Sequence, residues 1–153
     1  MVSTMELAET KKNNIEELLQ LVSFKIEDEE FGIDIFKVKE INRMMHVTKV
    51  PNAPHYVEGV VNLRGKIIPV VDIRSRLQLT KKEHDKNTRI IVVELDKSTV
   101  GFVVDEVREV LRIPESITES PPDFVGSINS DFIKSVGKLN DRILILLDLE
   151  KII

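Results

Sequence analysis

The sequence contains no cysteine and no tryptophan, and tyrosine occurs once in its 153 residues. A chain without cysteine forms neither disulfides nor thiolate metal sites, which fits a reducing compartment. The shortage of large aromatic side chains leaves few rings on which nucleic-acid bases could stack. With a formal net charge of −4, the chain also lacks the basic excess that is typical of nucleic-acid-binding proteins.

Long apolar runs are also missing. The segment Ile143–Leu147 is among the longest, whereas a helix that spans a membrane needs about 20 apolar residues. The first 20 residues are polar, carry charges of both signs and lack the apolar stretch of a signal peptide. We therefore expect a cytoplasmic protein without direct membrane insertion.

Signatures of catalysis are lacking too. The three histidines, His46, His55 and His84, are scattered over expected loops at no metal-binding spacing. The acidic run Glu27–Glu30 lacks the alternating ligands of a calcium loop, and the sequence has neither a glycine-rich phosphate loop nor a Gly-x-Ser-x-Gly motif. These absences predict a protein that is not an enzyme and uses no metal or cofactor.

What the sequence does contain is one β-rich unit written twice. Residues 21–41 align with 90–110 without gaps, and residues 59–77 align in the same way with 135–153. The identical pairs are Gly32 and Gly101, Val38 and Val107, Glu40 and Glu109, Val60 and Val136, Leu63 and Leu139, Ile67 and Ile143, and Asp72 and Asp148. Because shared positions chiefly serve a common fold, function is to be sought where the copies differ. The equivalent strand-end positions of Asp72 and Asp148 indicate a structural task, such as capping the segment that follows.

Short apolar segments with frequent turns, and no long helical period, predict a mainly all-β protein with a few short helices. Dense runs of valine, isoleucine and leucine predict strands that are covered on both faces. Each copy has roughly 65 residues, a size at which a lone core is marginal. We therefore expect two small β-barrels packed together over a shared hydrophobic core.

The domain organisation follows from the same patterns. Residues 1–20 are expected to form a mobile or helical arm, since apolar residues recur at helical spacing within 15–22. The first repeat covers about 21–79 and the second about 88–153, with a polar stretch between them. The sequence repeats need not coincide with the spatial barrels, because a strand could be exchanged between them.

The main exception to the repeat is Arg64-Gly65, which becomes Asn140-Asp141 in the second copy. A tight hairpin often needs positive φ at its central residues, and asparagine, aspartate and glycine tolerate this better than arginine. Arg64 therefore has no local advantage, but its guanidinium can bind a carboxylate in two places. The alternative is a solvated hairpin tip. Pro69, which lacks a ladder donor, indicates an edge strand or a bulge nearby.

Four segments carry a family resemblance. The stretch GVVNLRGKIIPVVD, residues 59–72, resembles the signature of the CheW family of chemotaxis coupling proteins. Residues 31–40, 103–107 and 141–148 resemble its flanking segments, so the resemblance covers nearly all of 21–153. It implies two five-stranded SH3-like barrels without catalysis.

The resemblance also implies partners. It implies an adaptor that couples the cytoplasmic tips of methyl-accepting chemoreceptors to the regulatory domain of the histidine kinase CheA at membrane receptor arrays. We expect this adaptor to stand alone and to be a monomer when free. The family positions for receptor binding and coupling match Val38, Glu40, Gly59, Arg64 and Gly65, and a kinase contact matches Phe124. We expect Arg64 and Glu40 to pair with each other.

Two other functions stay open from the residues alone. SH3-like barrels host many activities, so a small barrel that binds nucleic acid or another ligand is the alternative. A regulatory module cut from a longer signalling protein is the second alternative.

Overall fold

The computed structural model describes residues 17–125 and 128–153. The strands up to the polar stretch between the repeats are β1 (Leu18–Ile26), β2 (Glu29–Asp34), β3 (Val38–Arg43), β4 (Val57–Leu63) and β5 (Lys66–Asp72). Those after it are β6 (Arg89–Glu94), β7 (Thr99–Val104), β8 (Glu106–Pro114), β9 (Thr118–Glu119), β10 (Phe124–Val125), β11 (Ile128–Asn129), β12 (Ile133–Lys138) and β13 (Ile143–Leu147). The short helices are α1 (Ile73–Arg76) and α2 (Leu149–Ile152), with 3-10 turns η1 (Ile35–Lys37), η2 (Glu115–Ile117) and η3 (Ser130–Phe132).

The beginning of the described chain differs from the expected arm. Strand β1 starts at Leu18, so the helical spacing that was seen within 15–22 does not produce a helix from Leu18 onward. Pairing with both β2 and β8 explains the difference, because tertiary contacts override a weak local pattern. The rest of the expected arm, residues 1–16, lies outside the described residues.

Most of the strands in the described residues belong to two sheets, which we call barrel A and barrel B. Barrel A has the order β8-β1-β2-β13-β12-β9, and barrel B has the order β3-β6-β7-β5-β4. The predicted five-stranded barrels correspond to these sheets, with the two-residue β9 as a sixth strand of barrel A. Within the described part of the chain, the remaining strands, β10 and β11, pair only with each other.

Each barrel combines strands from both repeats. The β1–β2 hairpin of the first repeat lies in barrel A beside β8, β12 and β13 of the second. The β6–β7 hairpin of the second repeat lies in barrel B beside β3, β4 and β5 of the first. The two repeats therefore exchange whole hairpins, and neither repeat folds into a barrel of its own.

The two exchanges use the same register. Strand β2 runs parallel to β13 with Gly32 opposite Leu146, and β7 runs parallel to β5 with Gly101 opposite Val70. Both the glycines and their partners are equivalent in the repeat alignment. The sequence repeat is thus preserved in the strand pairing between repeats.

Both barrels close in the same way, through chain that continues from an edge strand. In barrel B, Thr48 follows β3 and forms two backbone hydrogen bonds of 2.8 Å with Val60 of β4. In barrel A, β9 follows β8 and places Glu119 opposite Val136 of β12. Val60 and Val136 are repeat equivalents, so the closures correspond.

The hydrophobic core has one shared part and two smaller parts. Strand β6 shows the arrangement, because its apolar residues are buried on both faces. Ile91 and Val93 face the core that the barrels share, while Ile90 and Val92 face a cluster within barrel B. A third cluster, built around Leu144, lies within barrel A. The predictions of a shared core and of strands covered on both faces are confirmed.

Two further sequence predictions concern the aspartates Asp72 and Asp148 and the proline Pro69. Asp72 accepts a hydrogen bond of 3.0 Å from the backbone N–H of Arg74, and Asp148 accepts one of 3.1 Å from Glu150, so both aspartates cap a helix as predicted. The prediction at Pro69 was an edge strand or a bulge nearby. The edge strand is wrong, because β5 lies between β7 and β4, but the β4–β5 register shifts between Val57 and Gly59, close to the Val60–Pro69 pair. The parallel ladder to β7 begins only at Val70, which spares Pro69 a missing hydrogen bond.

Within residues 17–125 and 128–153, no helix has the length and apolar character to cross a bilayer.

Candidate protein-binding site

The β4–β5 hairpin ends in a two-residue turn made of Arg64 and Gly65. Leu63 and Lys66 are paired on either side of it, and the φ angles are +51° at Arg64 and +84° at Gly65. Positive φ at both central residues is the geometry that fits the twist of a hairpin. The Asn62 side chain accepts a hydrogen bond of 2.8 Å from the Gly65 N–H, which fixes the turn. Arg64 therefore has a left-handed backbone conformation, which costs a residue with a Cβ atom about 1 kcal/mol.

The Arg64 guanidinium pairs with the carboxylate of Glu40 on β3, as predicted. The Arg64 side chain is 73% exposed and the Glu40 side chain 20%. Asn42 donates a hydrogen bond of 2.6 Å to the other oxygen of Glu40. This hydrogen bond, together with the Arg64 contact, lowers the pKa of Glu40. The carboxylate is therefore ionised at neutral pH and held from two sides.

The pair joins opposite edges of barrel B. Glu40 belongs to β3 at one edge of the sheet order, and Arg64 follows β4 at the other. The ion pair therefore lies over the same closure as the Thr48–Val60 bridge. The Arg64 guanidinium stays exposed at the end of barrel B, and its contact with Glu40 holds it in one orientation.

Gly59, the first residue of the family motif, is required by the conformation and the close packing of the backbone. Its φ is +152°, and a Cβ atom there would lie 2.2 Å from the carbonyl oxygen of Thr48. No side chain fits in that space, because the closure strand passes directly over the position. By contrast, a Cβ at Gly65 would meet no atom within 4 Å.

Val38 and Phe124 complete the residues that the sequence analysis named. Val38 begins β3 and is half-buried against the shared core, together with Ile35 and Val107. Phe124 lies on β10 and is 58% exposed. Glu40, Arg64 and Gly65 thus come together at one end of barrel B, and Val38 lies two positions before Glu40. Phe124 belongs to the separate β10–β11 ribbon.

The structure adds an ion pair that the sequence analysis missed. Glu109, the repeat equivalent of Glu40, lies 4.0 Å from Arg142, which also contacts Glu30 at 3.2 Å. Arg142 is equivalent to Lys66 and not to Arg64. The second copy therefore keeps an arginine near its glutamate, but directly before β13 and not at the centre of the turn. The repeated glutamate was the signal that could have located it.

The two barrels also expose equivalent aliphatic side chains. Ile41 and Ile67 of barrel B are 40% and 61% exposed. Their repeat equivalents in barrel A, Val110 and Ile143, are 56% and 49% exposed. Because these side chains are exposed in both copies, packing within the chain does not account for an aliphatic residue at these positions. We call these two pairs the barrel faces.

A second, smaller cluster lies where the polar stretch between the repeats passes β4. His84 Nε2 lies 2.9 Å from Glu58, and a cavity beside them is lined by Met44, Met45 and His46. Burial raises the pKa of Glu58, although the nearby His84 acts to lower it. Within the residues that the structure describes, no group of three or more His, Asp or Glu side chains could hold a metal ion.

Comparisons with known proteins agree with this architecture. A family model for the CheW-like domain matches residues 20–153. The chain is 37% identical over 134 residues to the chemotaxis protein CheW of Klebsiella aerogenes. The aligned region covers 88% of this chain and 81% of that protein. It is 36% identical over 146 residues to the chemotaxis protein CheW of Helicobacter pylori, with coverage of 95% and 88%.

A solved structure matches as well. The crystal structure of the scaffolding protein TtCheW from Thermoanaerobacter tengcongensis superposes with a TM-score of 0.80 at 38% identity. The match covers 87% of this chain and 86% of that chain. The predicted fold of two packed SH3-like barrels is confirmed by this similarity.

Proposed function

This chain belongs to the CheW family of chemotaxis coupling adaptors, and we propose that it couples the cytoplasmic tips of methyl-accepting chemoreceptors to the regulatory domain of the histidine kinase CheA. As a scaffold of this family it is an adaptor and not an enzyme. In the cell it acts in the cytoplasm, as a monomer when free, and is recruited to receptor arrays at the membrane.

The observation that carries this proposal is the Arg64–Glu40 pair. The second copy has Asn140 at the turn, a residue suited to positive φ, whereas Arg64 is held there at a cost of about 1 kcal/mol. An exposed ion pair contributes at most about 1 kcal/mol. Local stability therefore gives little reason for an arginine at this turn, and contact with another protein gives a specific one.

The receptor contact is proposed at the junction of the two barrels. Val38 supplies apolar surface beside the shared core, and the Arg64–Glu40 pair fixes the adjacent end of barrel B. A helical receptor tip presents apolar and charged side chains along one face, which matches such a mixed surface. Gly59 and Gly65 set the backbone that holds these groups.

The kinase contact is proposed at the barrel faces. A partner that has the same two-barrel fold would present equivalent faces of its own, so aliphatic side chains could meet across a pseudo-symmetric interface. The exposure of Ile67 and Ile143 supports this arrangement, because both are apolar and lie on strands. Phe124 on the β10–β11 ribbon adds an exposed aromatic ring of the kind that anchors interfaces.

The decisive experiment is reconstitution with a cognate receptor fragment and CheA. Co-sedimentation measures binding and phosphotransfer measures kinase activation. We expect Arg64→Ala and Glu40→Ala to weaken receptor binding by about tenfold, equal to about 1.4 kcal/mol, and to lower kinase activation. The matched control is Lys138→Ala, which removes another exposed ion pair, the 2.9 Å contact with Glu119.

Unchanged receptor binding and kinase activation in both substituted proteins would refute the role of the pair. Failure of the unsubstituted protein to co-sediment with either partner would refute the coupling function itself.

A further inference from the structure

Helix α1 carries two arginines that reach from barrel B to barrel A. Arg74 and Arg76 both follow β5, and each also contacts a residue outside barrel B: Arg74 pairs with Glu27 of the β1–β2 turn, and Arg76 bonds to Ile152 of α2. The equivalent positions of α2 are Glu150 and Ile152, which reverse or remove the charge. The two ends of the repeated structure therefore differ in how they connect the barrels.

Arg74 is buried, and each of its three guanidinium nitrogens has a partner. Its Nε donates a hydrogen bond of 2.8 Å to Asp105, a second nitrogen pairs with the same carboxylate, and a third pairs with Glu27. It also donates a hydrogen bond of 2.8 Å to the carbonyl of Thr80. Asp105 in turn accepts a hydrogen bond of 2.9 Å from the Glu27 N–H. We call Arg74, Asp105 and Glu27 the Arg74 cluster.

The position of the cluster decides its effect. Asp105 lies between β7 of barrel B and β8 of barrel A, where the chain crosses from one barrel to the other. Glu27 lies in the β1–β2 turn of barrel A. The Arg74 cluster thus fixes this crossing to both barrels through a buried, two-point guanidinium contact.

Arg76 adds a second connection. Its guanidinium lies 4.5 Å from the ring centre of Tyr56 and 4.8 Å from that of Phe132, two residues separated by the repeat offset. It also donates a hydrogen bond of 2.7 Å to the carbonyl of Ile152 in α2. The cation therefore joins elements that precede β4 and β12.

Among the residues that the structure describes, the other crossing carries no such cluster. The chain passes from β2 of barrel A to β3 of barrel B through η1, and the repeat equivalent of Asp105 there is Phe36, which is 78% exposed. Phe36 and Glu150, the equivalent of Arg74, line an open groove of about 530 Å³. The η1 crossing leads directly into Val38.

We propose that Arg74 is a positioning residue that sets the orientation of barrel A relative to barrel B at the β7–β8 crossing. The two barrel faces lie on different barrels, so their mutual angle depends on the Arg74 cluster. This orientation is a property of the free protein and does not depend on the coupling function.

Spin-label distances test it without any partner. Since the chain has no cysteine, Lys66→Cys on β5 and Lys138→Cys on β12 give one exposed label on each barrel. The unsubstituted background is expected to give one narrow distance distribution by double electron–electron resonance. Arg74→Met is expected to broaden or shift this distance distribution. Asp105→Asn, which changes the side-chain volume less, is expected to have the same effect.

The matched control is Arg142→Met. Like Arg74, Arg142 contacts two carboxylates, but both of them, Glu30 and Glu109, belong to barrel A. The substitution therefore removes an ion cluster that does not connect the two barrels. It is expected to lower the melting temperature and leave the distance distribution unchanged.

An unchanged distribution in both Arg74→Met and Asp105→Asn would overturn the proposal, and so would equal broadening by Arg142→Met. Loss of the folded state in both variants would assign the cluster to folding and not to orientation, which also overturns it. Because receptor and kinase are absent, none of these results depends on the coupling function.

Discussion

Gly59 lies against the backbone carbonyl of Thr48 at a distance that leaves no space for a side chain. The contact is part of the closure of barrel B, because Thr48 and Val60 exchange backbone hydrogen bonds next to it. The glycine that opens the family motif is therefore required by the fold before any partner binds.

Gly59→Ala is expected to destabilise the protein by about 3 kcal/mol, since the new methyl group would force the closure apart at an unfavourable φ. Urea unfolding measures the loss. Gly65→Ala is the matched control, because it also lies at positive φ but faces open space, and it should cost about 1 kcal/mol. Equal losses at the two glycines would contradict the role of the closure.

Arg64→Asn separates stability from function. The change places at the first turn the residue that the second copy uses, Asn140, and removes an exposed ion pair. Because asparagine tolerates positive φ, we expect the free energy of unfolding to stay within about 1 kcal/mol of the original value. Receptor coupling should nevertheless fall.

Thermal unfolding and the reconstituted kinase assay measure the two effects of Arg64→Asn. A protein that is clearly less stable would show that the Arg64–Glu40 pair serves the fold. Full coupling by the asparagine variant would show that the arginine is dispensable.

Ile67→Glu and Ile143→Glu test the barrel faces one at a time. Both side chains are about half exposed or more, so each change should alter stability by no more than about 0.5 kcal/mol. Each should weaken association with the CheA regulatory domain, because a charge would be buried in an apolar contact. Isothermal titration measures the affinity.

The matched control for the faces is Val50→Glu, at a residue that is 43% exposed and lies outside the repeat-aligned segments. Normal kinase affinity in both isoleucine variants would exclude the faces as the contact surface. A loss in one variant alone would assign the contact to one barrel.

The Arg74 cluster predicts an acid-sensitive part of the stability. Burial acts to raise the pKa of Asp105, but hydrogen bonds from Arg74 and from the Glu27 N–H outweigh it, so this pKa is lowered. A depressed folded-state pKa contributes stability that is fully present above the ordinary aspartate value of about 3.9. That contribution disappears as the pH falls through the folded-state pKa.

Asp105→Asn should therefore destabilise the protein by about 3 kcal/mol at neutral pH, because Arg74 stays buried with an incomplete set of partners. The difference between the two proteins should shrink below about pH 4. Unfolding measured across this pH range decides the matter, and a difference that does not change with pH would exclude the ionised Asp105 as its source.

Several features could be predicted from the sequence because they depend on neighbouring residues. The turn at Arg64-Gly65 and the helix caps at Asp72 and Asp148 are determined within a few positions of the chain. Burial of β6 on both faces was readable from its run of apolar residues. The Arg64–Glu40 pair came from the family resemblance, since 24 positions separate the two residues.

Other features of the site were not readable from local patterns. Arg142, which directly precedes β13, takes the place of the missing turn arginine, and its contact with Glu109 depends on how β8 and β13 are placed in barrel A. The exposure of Ile41 and Val110 likewise depends on which strand face the barrel turns outward. A repeat alignment marks these residues as equivalent, but it does not say that they are exposed.

The sequence alone determined that two similar β units would share one core, because the repeat, the turns and the apolar runs are local properties that each copy carries in full. Only the tertiary structure decided which strands form each barrel. The β1–β2 and β6–β7 hairpins have the same register in the repeat and could satisfy the same pairing within either copy. The exchanged arrangement consists of pairing between distant strands, β2 with β13 and β5 with β7, and such long-range pairing leaves no periodic signal in the chain.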